Sequence, residues 1–405
     1  MSKSVGIGVI GCGHRIKLVL AHVLAGDAAD RLRVVAGFDP EAERVQMLAD
    51  RLAASDIAPC GSPEQVATHP GVDWVFIGSP NALHADHAVA ALNAGKHVFC
   101  EKPLATTLAD CLRIREALEQ SGTTFAFGLV LRYAPLYTRV ATLLNAGRIG
   151  ELISFEFNET LAYNHGGYLH QGWRSESRWT GSFMLEKCCH DIDIANWLVG
   201  CPASRVASFG GCDFFTARNA GHLTRIGPDP QTGMLPYQAW PATRRSPFSD
   251  GKDIVDNQVA LIEYRNGVRA TFHTNCNAAI PERRLYLIGS EGTLRADLIT
   301  GQVELRRIGW DEPSVIYETI AKGHGGGDER MAKHLVQTMV EGVEPLASLE
   351  HGLAASLTCF AMDQAMREGR VVYLSELQQQ LDSPAAVASR SAQTDAMQQT
   401  ANAVG

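Results

Sequence analysis

The feature that most constrains the fold is an apolar run, Val5–Ile10, that ends on Gly11-Cys12-Gly13 and opens into a helical stretch. A run apolar at every position is what a strand buried on both faces of a parallel sheet requires. Glycines immediately after it let backbone N–H groups approach a pyrophosphate at a helix N-terminus, where the helix dipole favours an anion. The string Gly6-x-Gly8-x-x-Gly11 also matches the dinucleotide fingerprint by letter. It lies inside the strand, so its context rejects that frame. In the frame that fits, Ile16 stands where a third glycine would let helix and strand close together.

The next hundred residues repeat the strand-then-helix pattern. Leu32–Phe38, Asp73–Gly78, His97–Cys100 and Thr123–Gly128 read as further strands, with amphipathic Ala82–Ala94 and Leu108–Gln120 among the helices between them. This alternation predicts βαβ units and a parallel sheet covered on both faces. Asp39 ends the second strand. A carboxylate there accepts both ribose hydroxyls of NAD and repels the 2′-phosphate of NADP. It can equally form an Asp-Pro turn or cap the helix from Glu41. Glycine turn, βαβ context and strand-end Asp together point to a bound dinucleotide. NAD is preferred over NADP, because no basic residue follows Asp39 before Arg44.

The pattern changes near residue 150. Glu151–Glu159 alternates, and Val255–Tyr264 and Val268–Asn275 flank Asn266-Gly267, a hairpin signal. Leu285–Gly289 and Thr293–Leu298 flank another turn, whereas 213–253 is rich in Pro, Gly, Arg and Asp and reads as an insertion loop. Glu329–Gly342 and Ser348–Arg367 read as helices, and from Ser383 the chain is Ala-, Ser- and Gln-rich, as in a disordered tail. The expected class is α/β: an N-terminal Rossmann domain over 1–130, then a C-terminal α+β domain over 131–382 on a large, mostly antiparallel open sheet. The C-terminal helices pack back on the first domain, and 383–405 forms the tail.

At 45% hydrophobic and 20% charged, the chain has enough apolar material for two cores without disulfides or metals. A net charge of −8 favours neither nucleic acid nor a membrane surface. No secretory leader pattern and no apolar run near roughly 18 residues is seen. The ten cysteines are scattered without a C-x-x-C pair. That suits buried thiols in a reducing cytoplasm.

Two further blocks carry chemistry: Ser79-Pro-Asn-Ala-Leu-His84 with Gly95-Lys-His-Val-Phe-Cys-Glu-Lys-Pro103, and Gly181-Ser-Phe-Met-Leu-Glu-Lys-Cys-Cys-His190-Asp-Ile-Asp193. The first, a P-N-x-x-H loop spaced from a strand ending in E-K-P, and the second, a glycine-led D-x-x-x-H-x-x-D helix, resemble the Gfo/Idh/MocA oxidoreductases from about residue 5 to 380. The resemblance implies a Rossmann domain, an open-sheet second domain, NAD or NADP, and sugar or cyclitol substrates. Three departures stand out: Glu186 replaces an Asp, Lys187-Cys188-Cys189 replaces small or apolar residues, and 213–253 is additional.

Oxidising a secondary alcohol needs a base for the hydroxyl proton and an acceptor for the hydride, the latter supplied by the dinucleotide. The resemblance makes Lys102 the catalytic lysine, at the C-terminal end of a strand where open α/β sheets place ligands. Lys102–Pro103 is a candidate cis peptide. His190 is the natural base near neutral pH. Glu186 at i−4 and Asp193 at i+3 share its helical face, and Glu186 either positions Lys102 or raises the basicity of His190. The phosphate loop and the family blocks assign Gly11, Gly13, His14, Arg15, Ile16, Asp39, Ser79, Asn81, His84, Glu101 and Lys102 to the cofactor. Arg132, Trp173, Arg174, Lys187 and Asp193 are assigned to the substrate, with Trp173 suited equally to stacking or to the core. Consecutive Cys188, Cys189 and His190 make a poor metal site, and no metal is expected. His324-Gly-Gly-Gly-Asp328 either closes over the substrate or caps a helix.

The reading is an NAD-dependent oxidoreductase acting on a sugar, sugar derivative or cyclitol. The competing reading is a glycosidase or lyase with tightly held NAD that oxidises, eliminates and re-reduces. A non-catalytic NAD-binding regulator is disfavoured by the presence of both Lys102 and His190. The alternating second-domain strands suggest a homodimer or homotetramer joined through the sheet.

Overall fold

The computed structural model describes residues 4–26, 29–54, 56–239, 245–320 and 323–382; the expected tail lies outside them. The first sheet contains Val5–Ile10 (β1), Leu32–Phe38 (β2), Ala58–Pro59 (β3), Trp74–Ile77 (β4), His97–Cys100 (β5) and Phe125–Phe127 (β6). Their order is β3-β2-β1-β4-β5-β6. Every pairing is parallel. The order reverses between β1 and β4, which opens a crevice at the carboxyl ends of these strands, the usual dinucleotide position.

The missing third glycine has a local compensation. Ile16 is fully buried, and a Cβ built on Gly78, at the end of β4, would lie 2.9 Å from the Ile16 Cβ. The glycine that allows close packing has moved from the helix to the neighbouring strand end. Gly6 and Gly8 have packing roles inside β1: a Cβ on Gly8 would meet Val66 at 2.6 Å, and one on Gly6 would meet the Gly71 carbonyl.

The second sheet contains Leu152–Ala162 (β7), Ala203–Gly211 (β8), Asn257–Tyr264 (β9), Arg269–Ala278 (β10), Arg284–Gly289 (β11), Gly292–Asp297 (β12), Gln302–Arg307 (β13), Val315–Glu318 (β14) and Val372–Tyr373 (β15). Its order is β14-β13-β12-β11-β7-β10-β9-β8-β15. Only β7 and β10 pair in parallel. The β9–β10 hairpin closes through Gly267 at φ +85°. One face packs on the helices. The other exposes Ile153, Phe209, Val259, Leu261, Tyr286 and Ile288, an apolar patch of the kind associated with subunit contacts.

Helices Gly327–Glu341 and Leu349–Glu368 return to the first sheet. A Cβ on Gly327 would lie 2.6 Å from the Val130 carbonyl, and one on Gly352 would lie 2.6 Å from the Phe127 ring. Phe127 N–H donates to the Ala347 carbonyl at 2.9 Å. The 213–253 segment is more structured than a loop reading allows. It holds the short helix Gly221–Ile226 and buries Phe215, Tyr237 and Phe248. Asp256 fixes its entry by accepting the N–H groups of Asp213, Phe214 and Phe215 at 2.9, 2.8 and 2.7 Å. Among the described residues no helix is long and apolar enough to cross a membrane.

Candidate active site

The phosphate loop is built as its glycines require. Gly11 has φ +84°, and a Cβ there would lie 2.5 Å from the Ser79 nitrogen. Gly13 caps helix His14–Val23 with no side-chain hydrogen bond, and a Cβ on it would have only the Gly78 carbonyl nearby, at 3.9 Å. The first N–H groups of this helix are therefore free of capping side chains, which suits a phosphate. His14 is exposed at the same end. The Asp39 carboxylate accepts the Cys12 N–H at 2.9 Å and the Glu41 N–H at 3.0 Å. One group thus makes the local turn at the end of β2. Arg44 lies 3.9 Å from Asp39 but is held by Glu41 at 2.7 Å.

The P-N-x-x-H loop acts as a brace between elements. His84 is buried, with Nδ1 2.7 Å from the Pro103 carbonyl and Nε2 3.0 Å from the Ser79 carbonyl. It locks this loop to the Glu101-Lys102-Pro103 turn, whose Lys102–Pro103 bond is cis. Ser79 Oγ lies 2.9 Å from His87 Nδ1. Asn81 Nδ2 donates to the Thr180 carbonyl at 2.9 Å and to Glu186 at 2.7 Å. Of the residues expected at the cofactor, His84 has both ring nitrogens engaged by protein carbonyls, and Asn81 has its Nδ2 engaged by Thr180 and Glu186.

Glu186 is the centre of a buried cluster that joins the two domains. It lies in a π-helical turn, Met184–Cys188, that precedes the α-helix Cys189–Val199. The wider turn undoes the simple i−4 relation to His190. Glu186 instead faces Lys102 Nζ at 3.6 Å and Arg174 Nε at 3.3 Å. Lys102 Nζ also donates to the Glu186 carbonyl at 2.5 Å. Burial alone would raise the Glu186 carboxyl, but Lys102, Arg174 and the Asn81 hydrogen bond outweigh it and hold it below the usual range. Of the two roles expected for Glu186, the geometry supports holding Lys102.

His190 is 4% exposed, and its Nδ1 is buried without a hydrogen-bond partner. Burial, then the charges of Lys102 and Arg283, push its imidazole well below the ordinary value, so it is neutral at physiological pH. Arg132 and Asp193, expected against substrate, face each other. Both are buried, and they form a bidentate pair at 2.7 and 2.8 Å. The pair ties the His190 helix to the turn after β6. Arg174 lies over the Trp173 ring at 4.1 Å and the Tyr168 ring at 4.8 Å, a cation–π sandwich that orients its guanidinium. Lys187 is neither free nor solvated, lying 3.2 Å from the buried Glu159.

Sequence reasoning missed a buried ionic cluster beneath the cleft. Arg283 pairs bidentately with Asp191 at 2.8 and 2.7 Å and reaches Glu159 at 3.1 Å. Burial raises Asp191, while in Glu159 the charges of Arg283 and Lys187 overcome burial and lower it. His165 was also missed; burial, then the Lys187 charge, drives it down to about 3. Cys188 and Cys189 are buried, and burial pushes the Cys189 thiol up to about 12. At the cleft mouth, Arg15 bridges Glu101 at 2.8 Å and Asp328 at 2.5 Å. Asp328 in turn holds His324 Nδ1 at 2.8 Å.

Two family models match the chain: the oxidoreductase family NAD-binding Rossmann fold over residues 5–129 and the oxidoreductase family C-terminal alpha/beta domain over residues 141–374. The chain belongs to the Gfo/Idh/MocA oxidoreductase family. It is 34% identical over 196 residues to inositol 2-dehydrogenase of Salmonella typhimurium, covering 48% of this chain and 53% of that one. It is 33% identical over 208 residues to 1-carboxy-3-chloro-3,4-dihydroxycyclohexa-1,5-diene dehydrogenase of Comamonas testosteroni, covering 51% of this chain and 50% of that one. The chain thus spans about half the length of these curated relatives. Its fold is that of levoglucosan dehydrogenase solved with NADH and levoglucosan, with TM-score 0.75, 19% identity, and coverage of 92% of this chain and 100% of that one.

Proposed function

We propose that this protein is an NAD-dependent dehydrogenase that oxidises a secondary hydroxyl of a sugar, sugar derivative or cyclitol. The observation that carries the reading is the meeting of Lys102, from the end of β5, with Glu186 from the second domain at 3.6 Å, one helical turn before buried, neutral His190. The named relatives that act on inositol and on a dihydroxycyclohexadiene support a cyclic polyol.

Gly11, Gly13 and the N-terminus of helix His14–Val23 would hold the pyrophosphate, and Asp39 the adenosine ribose. Asp39 supports NAD over NADP, and Arg44 is paired at the surface with Glu41 at 2.7 Å. When bound, the nicotinamide supplies the hydride acceptor. Lys102 binds the reacting hydroxyl and stabilises the alkoxide as it forms; Glu186 fixes the ammonium group. His190, neutral because it is buried, takes the hydroxyl proton. Arg174, Trp173 and Tyr168 orient the rest of the ring.

The same reading extends to assembly and compartment. The apolar outer face of the second sheet forms the contact of a homodimer or homotetramer. The ten free thiols fit a reducing cytoplasm. The test is NADH formation at 340 nm on a panel of inositols, free sugars and glycosides. Net NADH from a polyol is expected. Glycoside cleavage without net NADH overturns the dehydrogenase reading in favour of an oxidation–elimination–reduction cycle.

A further inference from the structure

We infer that His324, oriented by Asp328, is the proton relay between His190 and solvent. The inference rests on the dehydrogenase reading and adds to it the path by which the substrate proton leaves.

A buried base has to discharge. His190 is 4% exposed, and burial, Lys102, Arg283, a protonated His324 and Lys187 all oppose a proton on it. His324 lies beside it, with ring centroids 6.3 Å apart, and its side chain is 33% exposed. That separation suits one bridging water rather than direct transfer. His324 Nδ1 lies 2.8 Å from a carboxylate oxygen of Asp328. An ionised carboxylate only accepts hydrogen bonds, so Nδ1 carries the hydrogen and Nε2 is left as the acceptor. This is the arrangement by which a carboxylate orients an imidazole and stabilises its protonated form. The groups facing His324 are Asp328, Arg15, Lys187 and His190. Burial lowers its proton affinity, and Arg15 and Lys187 add to this, while Asp328 opposes them. His190 has no such carboxylate, since Glu186 is engaged elsewhere.

The clasp around Asp328 is shaped for the task. Gly323, Gly325 and Gly326 all have positive φ, which lets the chain turn tightly enough to bring residue 324 back over residue 328. On its other side Asp328 is fixed by Arg15, two residues after the phosphate loop, and Arg15 is fixed by Glu101, beside Lys102. The substrate O–H bond breaks and its proton passes to His190, while the C–H electron pair leaves as hydride to the dinucleotide, the oxidant of the proposed reaction, and the carbonyl forms. The proton then passes through water to His324 Nε2 and on to solvent, which restores neutral His190.

The test uses His324→Ala and Asp328→Asn in the full chain. In weak buffer near neutral pH, His324→Ala should lose on the order of 10²-fold in kcat with KM little changed, the low end of proton-transfer effects. Added imidazole should restore most of that loss. Independently, NMR titration of the His324 ring in the enzyme without substrate should show a lower pKa in Asp328→Asn than in wild type. Unchanged kcat in His324→Ala, a loss that imidazole does not restore, or a His324 titration indifferent to Asp328→Asn each overturns the relay. If wild type oxidises no polyol of the panel, the dehydrogenase reading fails and the relay fails with it. The titration still reports whether the histidine–aspartate pair exists.

Discussion

Arg132→Met tests how the His190 helix is anchored. The substitution removes the guanidinium facing Asp193 at 2.7 and 2.8 Å and nearly preserves volume. Asp193 is buried on both sides of the change, so its carboxylate must either remain charged and unpaired or take a proton. Protonating a carboxyl of ordinary pKa near 3.9 at pH 7 costs about 4 kcal/mol, at about 1.36 kcal/mol per unit. Burial already outweighs Arg132 and raises Asp193 in the intact protein, so part of that cost is present before the change. A net loss of about 3 kcal/mol follows, within the range for breaking a buried pair from one side.

The pH dependence separates this account from lost packing. In the variant the folded state holds a proton that the unfolded state releases above about pH 4, so the variant loses stability as pH rises from there toward its raised folded pKa. The deficit relative to wild type should therefore shrink by more than 1 kcal/mol from pH 7 to pH 5. Guanidinium chloride unfolding followed by tryptophan fluorescence measures it, with Trp197 a local reporter 5.5 Å from the Arg132 guanidinium. A deficit below 1 kcal/mol at pH 7, or one identical at pH 5, refutes the reasoning. Replacing both partners, Arg132→Met with Asp193→Leu, should recover most of the loss.

Lys102→Ala and His190→Ala should each bind NAD nearly as wild type does in a fluorescence titration while losing on the order of 10²–10⁴-fold in turnover. Near-normal turnover in His190→Ala would remove it as the base. Gly78→Ala should cost about 1–3 kcal/mol of stability by overpacking against the Ile16 Cβ, an atom that every residue but glycine carries, and calorimetry of the variant checks it. Leu261→Glu, on the exposed face of β9, should yield a smaller species by light scattering at micromolar concentration. Asp39→Ala should narrow the preference for NAD over NADP in paired affinity measurements.

The parallel sheet was legible because its strands are unbroken apolar runs: Val5–Ile10 and Trp74–Ile77 admit no amphipathic alternative. The β9–β10 hairpin was legible because Asn266-Gly267 announces its turn locally. Two parts of the site were not legible. Glu159, Asp191 and Arg283 come from β7, the His190 helix and the approach to β11, and no local pattern links residues so far apart in the chain. The π-helical turn at Met184–Cys188 changes the angular spacing on which the i−4 argument for Glu186 and His190 depended. Ile16 shows the converse: it read as a defect in isolation, and only the contact with Gly78 shows the glycine requirement met from another strand.

The three partners of Glu186 come from three separate stretches: Asn81 beyond β4, Lys102 beyond β5, and Arg174 from the second domain. A small rotation of one domain against the other would lengthen at least one of these contacts and leave a buried charge or amide without its complement. The cleft therefore senses misalignment electrically. Substitutions far away, on the Leu349–Glu368 helix or under β6, that shift this alignment should alter the charge balance at Glu186 without replacing any of its three partners.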